Sequence, residues 1–171
     1  MKIAALILFL LAFTTGCDAF SRLYDPDRTV VLHETAITLT ADQIEFNAKE
    51  PLPVLGVDSG VCFIIGHVPR NNESWKQTEA VVKNSIGSLE FDAIPISAEA
   101  IGDDGKKYTL SGASYGAGGY SLDKTSQAVR VCKLFCPCST PPDKVTRVLI
   151  KSSRKFHVEK VLWFTTRPIG T

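Results

Sequence analysis

From Thr29 onward the apolar residues come in short blocks, broken by turn residues roughly every eight to twelve positions, and no window sustains a helical period. Thr29-Val30-Val31-Leu32-His33 and Ala36-Ile37-Thr38-Leu39-Thr40 are rich in β-branched residues and partly alternate, as half-buried strands do. Gly60 to Val68 is a near-continuous apolar run of strand length, which suits a strand covered on both faces. Ser88 to Ile94 and Gln127 to Phe135 alternate and read as strands, whereas Pro51, Pro53 and Gly56 read as a turn region. Asp103-Asp104-Gly105 is a hairpin-type turn leading into Lys107-Tyr108-Thr109-Leu110. The clearest hairpin is Val145 to Lys151, the turn Ser152-Ser153-Arg154-Lys155, and Phe156 to Thr165; Val161-Leu162-Trp163-Phe164 is apolar on both sides of the pleat and should lie inside. Only Ser74 to Ile86 has room for a short helix. The pattern predicts an all-β chain, mainly an antiparallel β-sandwich, with one short helix at most.

Composition bounds what such a chain does. With 171 residues, 44% of them hydrophobic and 22% charged, it makes one domain with a real core, which excludes disordered and low-complexity classes. A net charge of +1 argues against a nucleic-acid binder. The charge is unevenly spread: residues 17–122 carry 15 acidic and 8 basic side chains, and residues 123–171 carry 3 acidic and 10 basic. A basic face for lipid phosphates or for an acidic partner is one account. The plainer one is that C-terminal strands lie beside N-terminal strands and their solvated faces complement each other.

The first residues set the address. Met1-Lys2 is followed by eleven apolar residues, Ile3 to Phe13, too short for a comfortable permanent span at about 16 Å of helix. A positive start, a short apolar core and then small residues make an export signal. Thr14-Thr15-Gly16-Cys17 resembles the lipobox of bacterial lipoproteins, matching at Thr15, Gly16 and Cys17 and departing at Thr14, where that family usually carries Leu. The resemblance covers the leader alone. It implies cleavage before Cys17, lipidation of that cysteine with palmitate-type acyl chains, and a body held at the cell membrane or outer membrane, facing the periplasm or the surface. Several acyl chains hold a protein for practical purposes permanently, at about 0.8 kcal/mol per buried CH₂. Residues 1–16 are then the signal peptide, 17–28 the lipidated N-terminus and tether, and 29–171 the domain.

With Cys17 taken, Cys62, Cys132, Cys136 and Cys138 remain, an even number in an exported domain and so two disulfides by first reading. Spacing does not choose among the three connectivities. Cys136-Pro137-Cys138 is awkward to bridge, since extended chain separates its Cα atoms by about 6.6 Å. The reading taken is Cys62 to one member of the cluster and a local bond between the other two. The Cys132-x-x-x-Cys136-Pro137 spacing is also similar to that of Sco-type copper and redox proteins, which would make the chain an exported thiol- or copper-handling protein. Here, however, the spacing comes late in a β-rich chain, only His157 follows it, and Pro141-Pro142 rules out the helix that motif leads into.

Other motifs carry less. Gly116-x-Gly118-Gly119 lacks the strand-to-helix context of a phosphate loop, and Gly112-Ala113-Ser114-Tyr115-Gly116 has neither the strand before it nor the helix after it that a nucleophile elbow requires. His33, His67 and His157 are scattered singly. No residue set earns a catalytic role, and no cofactor, metal or nucleic acid is expected. The sequence therefore points to a non-catalytic envelope module, of immunity or assembly type, that binds another envelope protein. Tyr115 and Tyr120, expected to be exposed on the Gly-rich segment 112–120, are its candidate contact residues.

Overall fold

The structure, a computed structural model, describes residues 28–56, 58–90, 93–112, 120–137 and 139–165. The leader with Cys17, the glycine-rich residues 113–119 with Ser114 and Tyr115, and Cys138 lie outside the described residues. Eleven strands and one helix are described. The strands are β1 (Arg28–His33), β2 (Ile37–Leu39), β3 (Ile44–Pro53), β4 (Gly60–His67), β5 (Ile96–Gly102), β6 (Lys107–Gly112), β7 (Tyr120–Leu122), β8 (Ala128–Phe135), β9 (Lys144–Ser152), β10 (Phe156–Val158) and β11 (Lys160–Thr165). The helix, α1, spans Ser74–Ile86.

Every strand pair is antiparallel. Nine strands form one sheet in the order β1-β11-β4-β8-β6-β5-β9-β3, with β7 continuing the line of β6 along β8, and β2 pairs with β10 apart from it. The chain is all-β, as its alternation implies, and the facing layers are walls of a single sheet that curls until its two edges almost meet. At that seam the indole Nε1 of Trp163 on β11 donates to the Pro53 carbonyl on β3 at 2.9 Å, and the His33 ring of β1 lies 5.7 Å from that of Phe46 on β3.

The curl explains the burial. Trp163, Phe63 and Phe135 fill the interior, Phe135 edge-on to Trp163 at 6.2 Å and to Tyr108 at 6.1 Å. On β8 all eight residues are buried, and β4 and β11 are nearly so, which is why these segments read as unbroken apolar runs. Gly60 and Gly112 are small because β8 passes close: a Cβ on Gly60 would sit 2.2 Å from the Lys133 carbonyl oxygen, and one on Gly112 would sit 2.5 Å from that of Phe135.

α1 presents Thr78, Val82 and Ile86 inward at helical spacing. It stops at Gly87, whose φ of 88° is left-handed and whose N–H donates to the Lys83 carbonyl at 2.7 Å; the Arg154 guanidinium donates to the Ile86 carbonyl. The residues after Gly87 form bends rather than the strand expected over Ser88 to Ile94, and the next strand is β5.

The sheet has two ends. Arg28, Thr165, Gly60, Phe135 and Lys144 lie at one, where the described chain begins; His33, His67, Ala128 and α1 lie at the other. β4 alone spans about 24 Å between them. Charge follows the pairing: Arg147 of β9 meets Glu45 of β3 at 3.3 Å, Lys160 of β11 meets Glu34 at 2.8 Å, and Glu159 meets His67 at 2.9 Å. Arg147 and Lys160 thus place C-terminal cations beside N-terminal carboxylates, whereas the third pair runs the other way.

Candidate functional site

At the end remote from Arg28 the start of α1 and the β7–β8 turn enclose an open cleft of about 700 Å³, within the range of small-ligand sites. Its walls include Arg70, Ser74, Trp75, Tyr120, Lys124 and Gln127.

Each wall is held locally. The Ser74 hydroxyl donates to the Asn71 carbonyl at 2.7 Å and accepts from the Asn71 N–H at 3.0 Å, which fixes where α1 begins. Trp75 is the first member of the stripe that continues through Thr78, Val82 and Ile86, but it stays 53% exposed, its ring stacked on Tyr120 at 5.6 Å and 24°. On the turn, Asp123 accepts from the Thr125 N–H at 2.9 Å and the Ser126 hydroxyl at 2.8 Å, and it pairs with the Arg130 guanidinium. Partial burial pushes its carboxyl up, but those three donors outweigh that and hold it at about 2. Arg70 clamps the same turn by donating to the Lys124 and Thr125 carbonyls at 2.6 and 3.2 Å. Gln127, a non-glycine residue with φ of 58°, closes it, its backbone N–H donating to the Asp123 carbonyl at 2.7 Å.

The arrangement suits recognition. A half-exposed indole backed by a second ring offers rigid apolar area at little entropic cost, and the Arg70 and Lys124 side chains bring positive charge to its rim. Tyr120 corrects the expectation of an exposed tyrosine: it is 8% exposed, because β7 pairs with β8 and turns that ring under Trp75, so it forms the floor. Tyr115 lies outside the described residues. Trp75 was not singled out by sequence reasoning, since an aromatic on a helical stripe reads as core.

A second cavity of about 600 Å³ lies near Ile94, Lys151 and Arg154, where Arg154 is engaged in holding the end of α1. The described cysteines are oxidised: Cys62 is bonded to Cys132, directly across β4 and β8, and Cys136 is disulfide-bonded. Among the described residues no group of three or more His, Cys, Asp or Glu is placed to hold a metal ion, and no helix is long and apolar enough to cross a membrane. His33, His67 and His157 stand on separate strands and do not converge.

No known family model matches the chain, and no curated protein resembles it in sequence.

Proposed function

We propose that the chain is a bacterial envelope lipoprotein, anchored through Cys17 to the cell membrane or outer membrane, that works as a non-catalytic binding module. In this reading it engages another envelope protein through the cleft around Trp75, in the manner of an immunity or assembly factor. The observation that carries the binding role is Trp75: a large ring 53% exposed, immobilised on Tyr120 and flanked by two cations, at the end of the sheet away from Arg28. The leader supports the anchor, with its positive start, eleven apolar residues and Thr15-Gly16-Cys17. An anchored chain entering at Arg28 has the cleft a strand's length further along, where a partner has access to it, and anchoring raises local concentration for that encounter.

The bonded cysteines favour this reading over copper handling, because a metal needs free thiolates. The test is capture of the partner by the tethered protein, its purification, and measurement of Kd with the wild type, Trp75→Ala and Lys124→Glu. Removing a central aromatic anchor costs about 2 kcal/mol or more, a loss of affinity of roughly thirtyfold. Equal Kd for all three proteins removes the cleft from the account.

A further inference from the structure

The charges around the cleft say what a partner must bring to it. Arg70 and Lys124 stand side by side and exposed: Nη2 of the Arg70 guanidinium donates to the Lys124 carbonyl at 2.6 Å and to the Thr125 carbonyl at 3.2 Å. Both bonds leave from that one nitrogen, so among the described residues the rest of the planar fork is spare, and a carboxylate is the group its geometry matches. Neither cation pairs with a carboxylate among the described residues. The acids nearest to them in the chain are taken, Glu73 by Lys76 at 3.9 Å and Asp123 by the Arg130 guanidinium. Glu79, one helical turn beyond Trp75, is the carboxylate whose charge reaches the floor: burial, and after it this charge, push the Tyr120 hydroxyl above its ordinary value. Two cations held this close repel each other, and an anion set against both removes that repulsion.

Trp75 sets the second requirement. Its ring is 53% exposed and already stacked on Tyr120, so a large apolar side chain laid on it gains area at little ordering cost. A volume of about 700 Å³ has room for the side chains of a short segment. An anionic lipid headgroup answers the cations and leaves the indole unmatched, and the cleft lies at the end of the sheet away from Arg28. An acidic peptide answers both, because one chain carries a carboxylate and an apolar side chain a residue apart. Exposed charges of this kind contribute choice of partner and speed of encounter more than raw affinity, while the indole supplies the hold.

We propose that the partner inserts a short acidic segment into this cleft, with an Asp or Glu carboxylate against Arg70 and Lys124 and a neighbouring large apolar side chain against Trp75. This rests on the cleft being the contact site and adds the chemistry of the surface that meets it. The probes are blocked pentapeptides titrated into the oxidised protein, expressed from Met1, purified in detergent and carrying isotope-labelled tryptophan. One peptide has phenylalanine between two aspartates, two others have it between asparagines or between lysines, and a fourth has alanine between aspartates. The chain has two tryptophans, so the indole N–H signal of Trp75 reports on the cleft, and that of Trp163, bonded to the Pro53 carbonyl, is the internal reference. The acidic phenylalanine peptide should move the Trp75 signal alone, with a Kd at least about fivefold below those of the other three peptides, and should weaken as salt rises. Lys124→Glu should reverse the order of the aspartate and lysine peptides while the Trp163 signal stays in place. Equal affinity for the aspartate, asparagine and lysine peptides overturns the acidic segment and keeps Trp75 as a contact. A Trp75 signal that answers no peptide, or answers phosphatidylglycerol vesicles and not the acidic peptide, also overturns the proposal. Failure of the contact site itself shows separately, as an equal Kd of the captured partner for the wild type and Trp75→Ala.

Discussion

Asp123 ties the floor of the cleft to the sheet, and its carboxylate carries a measurable pH signature. Its folded pKa of about 2 lies below the ordinary aspartate value of 3.8, so the charged form is favoured in the native state. A group depressed in this way contributes stability above its unfolded pKa and loses that contribution as pH falls through its folded pKa. The pairing therefore supplies about 2 kcal/mol at neutral pH that disappears between about pH 5 and pH 2. Urea unfolding across that window should show the loss in the wild type, and Asp123→Asn should be less stable at pH 7 and flatter below it. At the cleft itself two stacked rings have opposite roles. Trp75→Ala should cost less than about 1 kcal/mol of stability because the ring is half solvated. Tyr120→Ala should cost about 3 kcal/mol because it empties buried volume under the helix. Denaturant melts of the two variants separate floor from contact surface.

Elements differed in how openly they announced themselves. The turn between β9 and β10 is legible because clustered turn residues are a local signal, but the hairpin expected around it does not form. β9 pairs with β3 and β5, and the second arm divides into β10, which pairs with β2, and β11, which lies between β1 and β4, because pairing partners are set by the closing sheet and not by the turn. β3 is not legible, since Pro51 and Pro53 read as turn residues. The strand lies at the edge of the sheet, where a missing N–H costs little. The segment after α1 misled in the other direction, as Ser88 to Ile94 alternates but none of its described residues pairs with a strand. The close approach of β4 to β8 was equally hidden, because a glycine at the head of an apolar run does not say what backbone it faces. Gly60→Ala should push a methyl into the Lys133 carbonyl and the Leu134 Cα, both immovable backbone, and destabilise by about 3 kcal/mol. Thermal melts check it; an unchanged Tm would mean that the two strands are further apart than described.

For the whole molecule, closure of the sheet and the bond between Cys62 and Cys132 join residues 70 apart in sequence. The chain-entropy model gives such a crosslink about 4 kcal/mol. Cys62→Ala/Cys132→Ala should therefore lower Tm by roughly 10 °C, measured calorimetrically without reductant. The all-β class was legible because alternation is a property of each strand. The cleft was not, since it arises only when the start of α1 and the β7–β8 turn, some fifty residues apart, meet at one end of the sheet. What the account most depends on is that this barrel works at a membrane, held by its first mature residue. Intact-mass spectrometry of the protein recovered from the membrane fraction tests that directly. The predicted species begins at Cys17 and carries a diacylglyceryl group, with or without an N-acyl chain. A soluble species that still carries Met1 and an unmodified Cys17 would contradict it.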